Sequence, residues 1–132
     1  MTNREQLRAS AAYREVSARS GERYFPEFVQ RSKNLPVMLR TNGLLATWGF
    51  LCAKERDEAD RRACLEILQA HLTSRLPNVG SADANAKDVF RRWIGQSDGV
   101  GALSSAELRA LTDEAIAFSG WIKRAAEAFG DA

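Results

Sequence analysis

The chain of 132 residues contains little of what disulfide, metal and cofactor sites require. It has two cysteines, Cys52 and Cys64, with no CxxC spacing, and one histidine, His71. This pattern supports neither a disulfide framework nor a zinc site, so both cysteines are expected to be buried, reduced packing residues. His71 lies among leucines with no second histidine to share a metal, which favours a packing role. We therefore expect no metal and no cofactor.

Motifs of nucleotide binding and catalysis are also missing. Gly95, Gly99 and Gly101 share one segment, but it has neither the Lys-Ser/Thr ending of a P-loop nor a preceding strand pattern. Acidic residues cluster at predicted helix starts and on polar faces, where the helix dipole and neighbouring arginines account for them. No nucleophile with a matching base is apparent. The sequence therefore argues against an enzyme.

Long apolar segments are absent as well. The longest strongly apolar stretch, Leu44–Ala53, is far shorter than the roughly 20 residues of a membrane-spanning helix. The amino terminus shows no apolar signal core. The apolar share of 45% and the charged share of 27% are ordinary for a globular protein. We expect one domain over residues 1–132 that works in the cytoplasm without contacting a membrane.

Apolar residues recur at helical spacing along the chain, and no segment alternates with the period of a strand. We predict an all-α fold, a single compact bundle of about six helices. The last helix has the best-defined start, because Ser104 and Glu107 have the spacing of a capping box. The other five are predicted from a Thr2–Glu5 capping box to Gly21, over Tyr24–Lys33, from Pro36 to about Arg56, from a cap at Asp57 or Asp60 to Leu76, and from Ser81 or Asp83 to Ile94.

The third predicted helix contains the longest apolar stretch, so it is expected to run through the middle of the fold. Leu35 precedes Pro36, and proline disfavours helical backbone in the residue before it, which predicts a break there. Helical spacing continues on both sides of Asn42-Gly43. We interpret Gly43 and Gly49 as helix-interior positions, where another backbone, from the fold or from a partner, approaches closely.

Charge is unevenly distributed along the chain. No acidic residue occurs between Glu27 and Glu55, whereas this window contains four basic ones, Arg31, Lys33, Arg40 and Lys54. From Asp98 onward acidic residues are in excess. A protein polarised in this way can present one face to a polyanion and another to a basic partner, and a solvated surface explains the same charges.

The segment Asn34–Lys54 resembles the hallmark of the small-subunit family of Cmr-type (type III-B) CRISPR effector complexes. That family is similar in having a Leu-Pro preceded by lysine, an Asn-Gly-Leu within a long buried helix, and an aromatic-rich apolar run that ends before a lysine. The carboxy-terminal segment Phe118–Phe129 also resembles the family's ending. The matching residues are Lys33, directly before the first segment, and within it Leu35, Pro36, Asn42, Gly43, Leu44, Leu45, Phe50, Leu51 and Lys54.

The resemblance implies a non-catalytic subunit of an RNA-guided RNA-targeting complex in antiviral defence. Such a subunit would stack on its own copies and on the repeating backbone subunit, which cuts the target, and would line the groove where guide and target RNA pair. Phosphate contacts from the acid-free window would be sequence-independent and would weaken as salt rises. The RNA-binding candidates are Arg31, Lys33, Arg40 and Lys54, and the partner-binding candidates are Asn42 and Gly43.

Two other functions fit parts of the sequence. A small helical adaptor would bind another protein and never contact nucleic acid, and it would use the same exposed charges for solubility. A metal-free hydrolase would require clustered carboxylates with shifted pKa values in a cleft. Salt-dependent RNA binding distinguishes the first alternative from an RNA-complex subunit.

Overall fold

The structure, a computed structural model, describes residues 3–75, 79–99 and 101–130. These residues form five helices and no β-strand, which confirms the all-α class and shows that the predicted count of six is wrong by one. Thr2 and the predicted helix stop at Leu76, Pro77 and Asn78 lie outside the described residues. The helices are α1 (Arg4–Ser17), α2 (Phe25–Ala53), α3 (Ala59–Arg75), α4 (Ala86–Trp93) and α5 (Ser105–Gly130).

The count differs because α2 continues through Pro36, so the predicted break at Leu35-Pro36 is wrong. Leu35, Pro36 and Leu39 are all buried in α2. Their packing outweighs the loss of the proline N–H and its steric effect on the preceding residue. The helix is instead interrupted at Gly43, which has φ 84° and ψ 171°, and the interpretation of Gly43 as a helix-interior position is therefore wrong.

Close approach of another backbone does not explain either glycine of α2. A Cβ atom built on Gly43 would have no neighbour within 4 Å among the described residues, apart from its own helix. A Cβ on Gly49 would contact only the ring of Phe90, at 3.9 Å. Glycine is needed at position 43 because this backbone region is open essentially to glycine alone. Approach of a partner to either glycine stays a prediction.

The helix starts are set by side chains that accept hydrogen bonds from backbone N–H groups. The predicted box at α5 is confirmed, since the N–H of Ser104 donates to Glu107 and the N–H of Glu107 donates to Ser104, at 2.8 and 3.1 Å. For α1 the box is formed by Asn3 and Gln6, so the predicted Glu5 partner is wrong by one residue. Asn85 caps α4 through the N–H of Lys87.

α2 lies in the middle of the bundle, as predicted, and packs against α5, α3 and α4, while α1 packs mainly on α5. Two indoles attach the short α4 region to the core. Trp48 Nε1 donates to the carbonyl of Ala86 at 3.0 Å, and Trp93 Nε1 donates to that of Val79 at 2.7 Å. The largest fully buried side chains are Trp48, Phe28, Phe118, Leu35, Leu39, Leu44, Leu51, Leu65, Ile67, Leu68, Leu72 and Leu111.

The remaining predictions on packing residues agree with the structure. Cys52 and Cys64 are buried and free, as expected. Burial raises the pKa of Cys52 to about 11 and that of Cys64 to about 12. Neither thiol is therefore ionised near neutral pH. None of the helices in residues 3–75, 79–99 and 101–130 has the length and apolar character needed to cross a membrane.

Candidate nucleic-acid interface

One face of α2 is exposed and carries two of the four predicted RNA-binding residues. Lys33 and Arg40 are exposed, whereas Leu35, Pro36 and Leu39 between them are buried. Seven residues, or two helical turns, separate Lys33 from Arg40, which puts them on one side of the helix about 10.5 Å apart along its axis. Neither has an ion pair within the part of the chain that the structure describes. Both charges are available to a polyanion.

Val37 lies midway between these two cations and is 59% exposed. A side chain of this size on the solvent side of a helix leaves apolar surface in contact with water. We refer to Lys33, Val37 and Arg40 together as the α2 basic face. Its shape and charge suit contact with a sugar-phosphate backbone, because the two cations can hold phosphates on either side of an apolar contact.

Arg31 is held differently, although it belongs to the same acid-free window of sequence. Its Nε atom lies 2.6 Å from Asp60 Oδ2, and its terminal nitrogen lies 3.7 Å from Glu58 Oε2. Its side chain is 23% exposed, and its guanidinium lies 5.7 Å from the centre of the Phe50 ring. Carboxylates from the start of α3 thus neutralise one of the four positive charges of the acid-free window.

Lys54 is exposed at the carboxy-terminal cap of α2, where its carbonyl accepts hydrogen bonds from the N–H groups of Asp57 and Glu58. The interruption at Gly43 separates it from Arg40. Lys54 is therefore at the far end of the segment that follows the interruption. The structure brings together Lys33 and Arg40 but leaves Arg31 and Lys54 apart from the α2 basic face.

The two predicted partner-binding residues mark the interruption of α2. Asn42 is exposed and Gly43 is half-buried. Because Gly43 has ψ 171°, the chain changes direction between the segment that carries the α2 basic face and the segment that carries Trp48. Asn42 thus lies at an exposed corner, two residues after Arg40.

Sequence reasoning missed a groove to which Arg40 also belongs. The groove has a volume of about 550 Å³ and lies between α1, α2 and α5. Four arginines, one glutamate and a tryptophan are among the residues that line it. We call it the arginine groove, and these residues are Arg4, Arg8, Arg40, Arg124, Glu5 and Trp121.

One arginine of the groove is already paired, and the others are not. Arg8 donates two hydrogen bonds to Glu114, at 2.8 and 2.9 Å. Within the described residues Arg4, Arg40 and Arg124 have no ion pair, and the guanidinium of Arg124 lies 4.9 Å from the centre of the Trp121 ring. Spacing on one helix could have predicted the neighbours Trp121 and Arg124, but not the convergence of three helices.

His71 is buried and belongs to a cluster that connects three helices. Its Nε2 atom lies 2.7 Å from Glu114 Oε2, and its ring stacks on Phe118 with the centroids 3.7 Å apart. Burial disfavours the charge of Glu114, but hydrogen bonds from Arg8 and His71 outweigh it and lower the pKa of this carboxyl to about 2. Burial also lowers the pKa of His71, more than its hydrogen bond to Glu114 raises it. The neutral imidazole therefore donates its Nε2–H to an ionised carboxylate.

This cluster is built for stability. Arg8 comes from α1, His71 from α3 and Glu114 from α5, so one bidentate ion pair and one further hydrogen bond join all three helices. A carboxylate with a pKa of about 2 is a weak base. In residues 3–75, 79–99 and 101–130, no three histidine, cysteine or acidic side chains are grouped in a way that could hold a metal ion.

One of two comparisons with known proteins agrees with the resemblance noted in the sequence. A comparison with curated proteins gives no match. The family model described as CRISPR-associated protein (Cas_Cmr5) matches residues 4–129, which include all five helices except the last residue of α5. The chain therefore belongs to the CRISPR-associated Cmr5 family, the small subunits of type III-B Cmr complexes.

Proposed function

We propose that this chain is a non-catalytic subunit of a type III-B CRISPR complex that contacts RNA through the α2 basic face. In this role it stacks on copies of itself and on the repeating backbone subunit, in the cytoplasm, and lines the groove where guide and target RNA pair. The observation that carries the proposal is the pair of exposed, unpaired cations on one side of α2, in a chain of this family.

Several features support a binding role over catalysis. The histidine is held neutral and buried beside an ionised carboxylate, and both thiols have raised pKa values. Two exposed cations two turns apart supply electrostatic contacts that need no base-specific geometry. Contacts of this kind suit a subunit that must hold guide and target RNA of any sequence.

Lys33 and Arg40 are the principal RNA contacts in this proposal. Lys54 makes a separate, outlying contact, and Arg31 contributes least because Asp60 and Glu58 already neutralise it. Asn42 and Gly43 form the exposed corner that contacts a neighbouring subunit. These assignments rank the four cations by their availability in the folded chain.

RNA binding by the assembled complex tests the proposal. The double variant Lys33→Ala/Arg40→Ala is compared with the wild type over a range of salt concentrations. We expect weaker binding to RNA of every sequence. The slope of the logarithm of the binding constant against the logarithm of the salt concentration should become less steep by about 1 for each cation removed. Arg23→Ala is the matched control, because Arg23 is exposed in the turn between α1 and α2, away from the α2 basic face.

Two results would contradict the proposal. An unchanged affinity and salt dependence in the double variant would show that the α2 basic face does not contact RNA. Assembly of the complex that depends on Lys33 and Arg40, with no effect on RNA binding, would favour the protein adaptor. Arg23→Ala must leave both quantities unchanged, since otherwise the loss would reflect net charge alone.

A further inference from the structure

The arginine groove continues the α2 basic face around the bundle. Arg40 belongs to both surfaces, so a polyanion on α2 can pass from Lys33 to Arg40 and then meet Arg4 and Arg124. Arg4 also lines an adjacent groove of about 280 Å³ that contains Arg75, at the end of α3. Arginines from four helices thus line two neighbouring grooves, the second of which also contains the carboxylate of Glu114.

The groove differs from the α2 basic face in having an aromatic side chain. Trp121 is half-buried, packs partly against the core and lines the groove beside Arg124. The planar guanidinium of Arg124 lies over the indole, and both groups stack well on flat aromatic surfaces. In a duplex the faces of the bases are stacked on one another and cannot contact the Trp121–Arg124 pair. In a single strand a base can turn outward and stack on the pair.

Gly120 keeps this part of the groove open. A Cβ atom at this position would lie 3.2 Å from the terminal nitrogen of Arg124, closer than most such contacts. The absence of a side chain therefore lets the guanidinium lie along α5 next to the indole. Glycine is a poor helix former, and its presence inside a 26-residue helix is explained by the space it leaves for Arg124.

We propose that the arginine groove binds single-stranded RNA, with Arg4, Arg40 and Arg124 contacting phosphates and the Trp121–Arg124 pair stacking on a base. The inference rests on the proposed function and extends it, since it assigns a second RNA surface to this chain and an unpaired stretch as its occupant. Glu5 repels phosphate within the groove, and Arg8 is held by Glu114, so the remaining three arginines define the path.

Fluorescence anisotropy with the full chain tests this inference. The probes are a labelled oligouridine of about 12 nucleotides, an abasic strand of the same length and an RNA duplex. We expect the oligouridine to bind about tenfold more tightly than the abasic strand or the duplex, because only it can stack on the groove. Arg124→Ala should weaken the binding of the oligouridine. It should also make the slope of the logarithm of the binding constant against the logarithm of the salt concentration less steep by about 0.7.

Gly120→Ala is the sharper variant, because it perturbs the groove without a foreseeable loss of fold. Alanine is a better helix former than glycine, and the atom it crowds is the mobile end of a side chain, so the variant should melt no lower than the wild type. It should nevertheless bind oligouridine less tightly. Arg23→Ala should bind like the wild type.

The outcomes separate this inference from the proposed function. Equal binding of duplex and oligouridine, wild-type affinity in both Gly120→Ala and Arg124→Ala, or no binding by the full chain at low salt would each overturn the groove assignment. Displacement of the oligouridine by polyglutamate at equal charge would also overturn it, since the groove would then accept any polyanion. If Lys33→Ala weakens oligouridine binding while Gly120→Ala and Arg124→Ala do not, the RNA is bound by the α2 basic face and the groove assignment fails.

Discussion

Replacement of Gly43 by alanine tests the interruption of α2 directly. The residue has φ 84° and ψ 171°, a region that residues with a Cβ atom rarely enter. A Cβ at this position would meet nothing within 4 Å, so any loss of stability must come from the backbone and not from a clash. Strain of this kind is worth about 1–3 kcal/mol. The free energy of unfolding should fall by that amount.

The same substitution at Gly49 is the matched control, because Gly49 lies in the same helix. Its new Cβ would make an ordinary contact with the Phe90 ring at 3.9 Å. Alanine at a helical position gains up to about 1 kcal/mol over glycine. The two variants therefore change stability in opposite directions, although each adds one methyl group to α2.

Urea unfolding and thermal melting measure both variants. For a domain of this size 1 kcal/mol corresponds to about 3–4 °C in Tm, so Gly43→Ala should melt roughly 3–12 °C below the wild type. Gly49→Ala should melt at or slightly above it. A Gly43→Ala protein as stable as Gly49→Ala would show that α2 is helical through position 43 and is not interrupted there.

Three further predictions concern side chains that are partly or fully buried. Glu114→Gln should lower stability by about 3 kcal/mol at neutral pH, because the carboxyl has its pKa lowered from 4.5 to about 2. In urea unfolding at a series of pH values, wild-type stability should fall as the pH drops through this interval, with an earlier fall below about 6.5 from His71, whose pKa is also lowered. If Glu114→Gln still loses stability between pH 4.5 and 2 as the wild type does, the titration of Glu114 is not the cause of that loss. Thiol reagents should label Cys64 only at the rate of unfolding, and Cys52, also buried, slowly, so rapid labelling of native Cys64 would contradict its burial. Gln69→Ala should destabilise by about 1–3 kcal/mol, because the amide donates to the carbonyls of Ser81 and Ala84 at 2.9 and 2.6 Å, and a wild-type melting curve would refute that role.

The fold class follows from the sequence because each helix has its own local signals. The apolar spacing of α5 and the box of Ser104 and Glu107 need no information from the rest of the chain. The position of the break in α2 cannot be predicted from local signals, because Pro36 and Gly43 are both residues at which a helix can end. Burial of Leu35 and Leu39 decides between them, and that energy depends on helices far away in sequence.

The candidate site likewise combines features that are visible in the sequence with features that arise only when distant helices pack together. The sequence predicts the cations Lys33 and Arg40 but puts them on separate helices, so their shared face depends on the continuation of α2 through Pro36. The pairing of Arg31 with Asp60 joins residues 29 positions apart, and the arginine groove joins three helices, so neither has a local signal. Charge counted along a chain therefore overestimates the charge that a folded surface presents.

Affinity purification of the tagged chain from its own cells, followed by ultraviolet crosslinking, tests whether the chain contacts RNA within a Cmr complex. We predict that the repeating backbone subunit and guide RNA purify with the chain, and that RNA crosslinks to peptides containing Lys33 or Arg40. Lys33→Ala/Arg40→Ala should retain the protein partners and lose most of the crosslinked RNA. Recovery of the chain with neither the backbone subunit nor RNA would show that it does not act as a subunit of such a complex.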